Sequence, residues 1–147
     1  MSTEPDLRSM ETITRRSVSA TLDGAPYTTR ITSRGHALIA DEPADHGGAD
    51  LGMRPHELLL SAIASCTAIT MRMYADRKGW KADGITVTAN LEREQQGKAI
   101  DTRIHLEVDL PKDLPADQRE RLLQIARMCP VHRTLESPIH LTSELRA

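Results

Sequence analysis

Two cysteines are the residues of this 147-residue chain with the clearest capacity for covalent chemistry. Cys66 lies in the uncharged stretch "LLLSAIASCTAITM", and Cys129 lies in "MCPVHRTL". Free cysteine is most often a small buried apolar residue, but a thiolate is also a nucleophile and a metal ligand. From the residues alone three interpretations stay open: two inert core cysteines, a transient redox couple, or part of a zinc site.

The local surroundings of the two cysteines differ in charge. The neighbours of Cys66 on a predicted helix are uncharged, so they offer no cation to stabilise a thiolate. Cys129 is followed by Pro130, which disfavours helical geometry at the cysteine, and then by His132 and Arg133. This pattern favours a reactive or resolving thiol at Cys129, with a core residue at a helix end as the alternative. A zinc site built on both cysteines and His132 would lack a recognised ligand spacing.

The composition excludes several classes of partner. The net charge is -2, which gives no electrostatic argument for nucleic acid or an anionic membrane. Two tyrosines, one tryptophan and no phenylalanine leave no platform for stacking on bases. We therefore expect no nucleic-acid partner and no membrane partner.

The N-terminal ten residues, "MSTEPDLRSM", contain no basic segment followed by an apolar run. We expect no signal peptide and a disordered tail over residues 1–10. The apolar run over residues 58–71 is shorter than the roughly 18 to 20 residues that a membrane-spanning helix needs. A soluble, cytoplasmic protein is expected, in a compartment where thiols are kept reduced.

The elements that must position the cysteines begin with strands. Alternating apolar residues in "SVSATLDG", "YTTRITSRG" and "HALIA" predict a three-stranded antiparallel meander. Residues 41–54 form a long loop rich in Gly, Asp and Pro. We interpret its acidic side chains as hydrated, with a cation site formed by their oxygens as the alternative.

A long helix follows the loop and carries Cys66. Pro55 suits the first helical position, and Gly79 suits the position after the last one, so the helix is predicted over residues 55–78. Its middle has no clear polar face, which predicts a helix buried on all sides. A single 147-residue chain can hardly surround such a helix, and this is the first indication of a dimer.

The second half of the chain predicts a hairpin, a helix and a last strand. "GITVTANLERE" and "TRIHLEVDL" alternate around the turn "QQGK". A second helix opens at Pro115 and ends at Cys129, and "PIHLTSEL" has the pattern of a final strand. The predicted fold class is α+β in the order βββ-α-ββ-α-β, as a single domain over residues 1–147.

Two segments together resemble a known family. "RPHELLLSAIASCTAITMRMYADRKGW", followed later by "ARMCPVHRTL", is similar to the OsmC/Ohr family of thiol-dependent hydroperoxide reductases. The closer resemblance is to the OsmC-like branch that is also found fused behind α/β-hydrolase domains. The resemblance implies an intertwined homodimer in which two sheets wrap the long central helices, with two sites at the interface.

The resemblance also implies a chemistry. Cys66 matches the family's peroxidatic position, where a thiolate attacks a peroxide and becomes a sulfenic acid. Cys129 matches the resolving position, whose thiol condenses with the sulfenic acid to a disulfide that an external dithiol reduces. The implied function is a cysteine-based peroxidase in oxidative-stress defence, with a peroxide substrate, a dithiol reductant, no metal and no organic cofactor.

The remaining candidate residues come from comparison with the family pattern. The peroxidase branches carry N-P-E-[EQ]-L before the cysteine, whereas this chain has "RPHEL", with His56 at the catalytic-Glu position and Glu57 next to it. The candidates for the activating cation or for second contacts are Arg34, Arg30, His56, Glu57, His132 and His36. The alternative function is an OsmC-like protein with weak or no peroxidase activity that binds a small apolar ligand at the dimer interface.

Overall fold

The computed structural model of the protein describes residues 13–146, so the tail predicted over residues 1–10 lies outside the described residues. The chain divides into two compact units, of which the first ends at Arg54 and the second begins at Pro55. We call them the first unit and the second unit and describe each by itself. The single domain over residues 1–147 stays a prediction.

The first unit contains the predicted antiparallel meander. Its strands are β1 (Ser19–Thr21), β2 (Thr29–Ser33) and β3 (His36–Ala40), in the order β1-β2-β3. The turn between β2 and β3 places Arg34 and Gly35 at positive φ, 50° and 81°. Glycine adopts this conformation without steric cost, which is why a turn this tight forms here.

The loop after β3 is organised around a buried carboxylate. Asp41 is only 1% exposed. Its oxygens accept hydrogen bonds from the Thr28 hydroxyl at 2.8 Å and from the backbone N–H groups of Glu42 at 2.8 Å and Leu51 at 3.2 Å. The interpretation of the acidic side chains as hydrated is therefore wrong for Asp41, because three donors replace the water that it loses.

The second unit begins with the helix that carries Cys66. This helix, α1, spans Pro55–Lys78, the predicted range. It ends at Gly79, whose φ is 71°, and the N–H of Trp80 closes the last turn on the Ala75 carbonyl at 2.8 Å. The local signals for helix start and stop thus fixed both ends.

α1 is buried along one stripe of its surface. Its buried residues are Ile63, Thr67, Met71 and Ala75, which recur at every fourth position. Ile69 and Met73 on another face are 55% and 61% exposed. The single chain therefore differs from the expectation of a helix buried on all sides, because its other elements cover only one stripe.

A hairpin and a second helix cover that stripe. The hairpin consists of β4 (Thr86–Gln96) and β5 (Ala99–Asp109), and the second helix, α2, spans Ala116–Ala126. The buried core of this unit joins α1, α2 and the segments on either side of the hairpin. Its members are Met71, Ala75, Ala82, Leu114, Leu122 and Ala126.

The C-terminal region differs from the prediction in two ways. The second helix ends at Ala126 rather than at Cys129, and a short third helix, α3 (Pro130–Glu136), follows. Residues 138–146 form no strand. Their alternating side chains suit a strand, but a strand also needs a paired backbone, and no strand of the described chain pairs with them.

Candidate active site

Cys66 lies near the middle of α1 and is partly exposed. Burial raises the pKa of its thiol, and a hydrogen bond with the Cys129 thiol raises the pKa further. A backbone hydrogen bond from Val131 and a side-chain hydrogen bond from Thr70 act in the opposite direction and do not outweigh the first two. None of these groups is a cation, so the thiol stays protonated at neutral pH in the environment that the second unit supplies.

Cys129 is the residue immediately before α3 and is fully buried. Its backbone is extended (φ -56°, ψ 127°), as expected before a proline, and Pro130 occupies the first helical turn. The Cys129 sulfur accepts a hydrogen bond from the backbone N–H of His132 at 3.4 Å and so caps the helix. The Cys-Pro pair therefore sets both the start of α3 and the direction of the thiol.

The two thiols face each other across the packed helices α1 and α3. Both cysteines are free, and they are close enough for the Cys129 thiol to raise the pKa of Cys66. Cys66 is partly exposed as a residue, and Cys129 is fully buried. Such a pair can form a reversible disulfide after the accessible sulfur has been oxidised.

The ring of His132 lies in the first turn of α3. Its Nε2 is 2.8 Å from the Glu136 carboxylate one turn later, while its Nδ1 is buried and has no hydrogen-bond partner. Unpaired buried nitrogens are uncommon, because they lose their hydration without replacement. His132 therefore lies in the same turn as Cys129, as its position in the sequence predicts, and its role in the site stays a prediction.

The other candidate residues lie away from this pair along the chain. Arg30, Arg34 and His36 belong to the first unit, on or between β2 and β3. Arg30 pairs with Asp23 at 3.6 Å, and both side chains are more than half exposed. The second unit brings Cys66, Cys129 and His132 together, and it contains none of the three residues from the first unit.

The remaining two candidates, His56 and Glu57, are exposed in the first turn of α1. They precede Cys66 by more than two helical turns, so α1 itself does not place them against the thiol. Within residues 13–146, no group of three or more His, Cys, Asp and Glu side chains could hold a metal ion.

Sequence reasoning missed two contributors to the site, the backbone N–H groups of Val131 and His132. Both belong to the start of α3, and each donates toward one of the thiols. A signal was present in the sequence, because proline is favoured at the first position of a helix and Cys129-Pro130 has that arrangement. The proline was interpreted only as the end of the preceding helix.

Comparison with known proteins identifies the family. The family model described as OsmC-like protein matches residues 47–144, which include α1, both cysteines and α3. This chain belongs to the OsmC-like family. A search of curated proteins finds no significant match.

Several crystal structures share the OsmC-like fold. An OsmC-like protein from Mycoplasma pneumoniae aligns with a TM-score of 0.72 at 19% identity, over 86% of this chain and 89% of that one. An organic hydroperoxide resistance protein from Elizabethkingia anophelis aligns with a TM-score of 0.64 at 19% identity, over 85% and 90%. The organic hydroperoxide resistance protein OhrB of Bacillus subtilis aligns with a TM-score of 0.59 at 21% identity, over 82% and 90%. At these identities the likeness establishes the α+β fold.

The apolar character of α1 is a property of this domain. Among the residues that the structure describes, α1 is long and apolar enough to cross a membrane by length and composition alone. The sequence expectation considered only the shorter uncharged run within it. The whole helix lies inside the region that the family model matches, and we assign it to the OsmC-like domain.

Proposed function

We propose that this OsmC-like protein is a thiol-dependent hydroperoxide reductase in peroxide defence. The observation that carries the proposal is the pair of free thiols, with a partly exposed Cys66 backed by a fully buried Cys129. Because Cys66 is the more exposed of the two residues, we propose it as the nucleophile and the buried Cys129 as the resolving thiol. Structural relatives named as organic hydroperoxide resistance proteins support the choice of substrate class.

The proposed reaction has three balanced steps. The Cys66 thiolate attacks the terminal oxygen of a hydroperoxide, the O–O bond breaks, and the products are Cys66 sulfenic acid and, after protonation, an alcohol. The Cys129 thiol then attacks the Cys66 sulfur, which forms the disulfide and releases water. A dithiol reductant of the cytoplasm returns both cysteines to thiols by exchange.

The first step requires a cation beyond the groups that surround Cys66 in the second unit. Burial raises the pKa of this thiol, and a nearby positive charge is the usual means of reversing such a shift. Arg34 and Arg30 are the proposed sources. The ion pair of Arg30 with Asp23 is exposed and worth at most about 1 kcal/mol, so it does not prevent Arg30 from changing partner.

Three further residues have proposed roles near that cation. His56 and Glu57 stand where the peroxidase branches carry Glu followed by Glu or Gln, and we propose that Glu57 orients the arginine. His56 and His36 are proposed to line the approach to Cys66. These roles apply only if the Cys66 thiolate attacks the peroxide with the help of an arginine.

The function is tested by the single-turnover rate of oxidation by an organic hydroperoxide between pH 6 and pH 9.5. Cys66→Ser should abolish peroxide consumption, and Cys129→Ser should keep the first oxidation but leave Cys66 as sulfenic acid. Arg34→Ala or Arg30→Ala should slow the reaction at least about tenfold at pH 7 and much less at pH 9.5, where the thiolate forms unaided. A Cys66→Ser variant as fast as the wild type would disprove the peroxidase.

A second function is favoured by the raised pKa of Cys66 and by an apolar cavity. A cavity of about 370 Å³ lies beside the exposed face of α1, lined by Ala68, Ile69, Met73 and Ile85 among others. Its size suits a small apolar ligand. Two results together would replace the peroxidase with the binding function. The wild type and the arginine variants would be equally inert toward peroxide, and a hydrophobic fluorescent probe would bind the wild type but not Met73→Glu.

We also propose that the protein is a homodimer whose second copy covers the exposed side of α1. Large apolar side chains on this face of the helix are exposed, including Leu59 at 38%, Ile69 at 55% and Met73 at 61%. A soluble protein rarely leaves so apolar a helix face in water, and a like face on a second copy would remove it.

Sedimentation equilibrium tests the dimer at micromolar concentration. We expect twice the chain mass of 16.3 kDa for the wild type. Ile69→Glu should shift the mass toward the monomer, whereas the control Lys98→Glu, at the exposed hairpin turn, should leave it unchanged. A folded wild-type monomer would contradict the proposal.

A further inference from the structure

The imidazole of His132 has one nitrogen in use and one without a partner. Nε2 is 2.8 Å from a Glu136 oxygen, and the side chain as a whole is 24% exposed. Because a carboxylate only accepts hydrogen bonds, Nε2 must carry the proton in this pair. In the neutral ring the buried Nδ1 then has a lone pair that nothing satisfies.

The Cys129 thiol needs a base to accept its proton. The nucleophile in disulfide formation is the thiolate, so Cys129 must lose its proton before or while it attacks Cys66. Its side chain is fully buried, which prevents water from taking the proton directly. A base inside the protein is therefore needed for the resolving step.

The same helical turn carries the thiol and the imidazole. The backbone N–H of His132 donates a hydrogen bond to the Cys129 sulfur at 3.4 Å, so the imidazole belongs to the residue whose backbone contacts that sulfur. α1 packs against α3 and brings Cys66 to this turn. On α3 the charged neighbours are Arg133 and Glu136, of which Glu136 contacts the ring.

We propose that His132 is the proton acceptor of the resolving step and that Glu136 is its positioning residue. As the Cys129 sulfur attacks the Cys66 sulfenic acid, the S–S bond forms and the S–O bond breaks. The Cys129 thiol first turns toward the ring, because Nδ1 makes no hydrogen bond in the reduced protein. Its proton then passes to Nδ1 and on to the departing hydroxide, which leaves as water. The Glu136 carboxylate keeps the proton on Nε2 and stabilises the transient imidazolium, as a third group does for the base of a hydrolase triad.

This inference rests on the proposed function for its physiological step, but its proton transfer can be measured without peroxide. Reaction of Cys66 with 5,5′-dithiobis(2-nitrobenzoate) gives a mixed disulfide and one equivalent of coloured thiolate. Attack by Cys129 on the Cys66 sulfur then forms the internal disulfide and releases a second equivalent. The rate of the second release between pH 5 and pH 9 reports how easily Cys129 loses its proton.

Wild type should release the second equivalent rapidly at neutral pH, with a rate that changes less between pH 7 and pH 9 than the rate of a variant without the imidazole. His132→Asn keeps a polar group near the Nδ1 position but no base, and should slow the release at pH 7 by about 100-fold or more. Its rate should then rise steadily with pH. Glu136→Gln should slow the release at pH 7 less than His132→Asn does, because the base remains but loses the carboxylate that positions it, and Glu136→Asp should recover part of the rate.

Two controls separate this role from a merely structural one. His105→Asn, an exposed histidine of β5, should leave the profile unchanged, and Cys129→Ser should release one equivalent only. If His132→Asn matches the wild type, or slows the release equally at every pH, the inference is wrong. If the protein does not react with peroxide but the second release still depends on His132, the proposed function is wrong and the inference about the proton acceptor stands.

Discussion

Burial acts to raise the pKa of both Asp41 in the first unit and Cys66 in the second, yet the net pKa values of the two acids move in opposite directions. Burial by itself raises the pKa of Asp41, but hydrogen bonds from Thr28 and from the backbone of Glu42 and Leu51 outweigh it, and the net pKa is lowered. For Cys66, burial and the hydrogen bond with Cys129 prevail, and the pKa is raised.

The difference teaches that hydrogen-bond donors decide whether an acid that has lost part of its hydration is stable as its anion. Three donors with distances of 2.8 to 3.2 Å surround the Asp41 carboxylate, so the first unit completes an anionic site with its own residues. The second unit offers Cys66 a backbone N–H, a hydroxyl and a second acid. An ionised Cys66 therefore needs a further charge, and the proposed function requires an arginine to supply it.

The largest expected effect comes from removing the Asp41 carboxylate. Asp41→Ala removes the acceptor of three partly buried hydrogen bonds, from the Thr28 hydroxyl and two backbone N–H groups, and should lower the free energy of unfolding by about 3 kcal/mol. Urea denaturation at pH 7 measures this. Asp45→Ala in the same loop is the control, because the Asp45 side chain is 77% exposed, and it should change the free energy by no more than about 0.5 kcal/mol. Equal effects of the two variants would break the comparison.

A smaller effect is expected from neutralising Asp41. The folded-state pKa of Asp41 lies below its unfolded value of about 4, so the ionised carboxylate stabilises the fold above that value and ceases to do so as pH falls through the folded pKa. Asp41→Asn should therefore be less stable than the wild type at pH 7, with the gap closing below about pH 4. Urea midpoints from pH 2 to pH 7 measure the gap. A gap that is constant across this range would contradict the ionised state of Asp41.

The smallest expected effect concerns a donor to Cys66. The Thr70 side chain lowers the pKa of the Cys66 thiol, so Thr70→Val should raise it and slow alkylation of Cys66 by iodoacetamide at pH 7 by about fivefold, the worth of one hydrogen bond. The rates should converge above the thiol pKa. Thr88→Val, at an exposed position of β4, should match the wild type. A faster reaction in Thr70→Val would show that the hydroxyl stabilises the thiol rather than the thiolate.

The sequence predicted the parts of the fold that depend on local signals. Pro55 and Gly79 predict the bounds of α1, and alternation with turn residues predicts the strands of the meander. The structure confirms both predictions. The strand predicted over residues 138–145 depends on a pairing partner that no local pattern can supply. The length of the second helix was overestimated because the chain turns after Ala126 without a proline or glycine at that point.

The two cysteines of the candidate site could be predicted from the sequence, but the groups that surround them in the fold could not. The residues around Cys66 on α1 indicated the lack of a cation, whereas the contribution of Val131 required the packing of α3 against α1. The burial of Asp41 was missed because acidic loops are usually hydrated. Gly48 makes that burial possible, since a Cβ at this position would overlap the Glu42 carbonyl and crowd the Asp41 carboxylate.

The central claim is that Cys66 reacts first and that Cys129 resolves it. The most direct test is the intact mass of each protein after one equivalent of an organic hydroperoxide, with free thiols counted in parallel. The wild type should lose two thiols and about 2 Da, Cys129→Ser should gain about 16 Da on Cys66, and Cys66→Ser should stay unchanged. Oxidation of Cys129 in Cys66→Ser at the wild-type rate, or a wild type that keeps both thiols, would contradict the account.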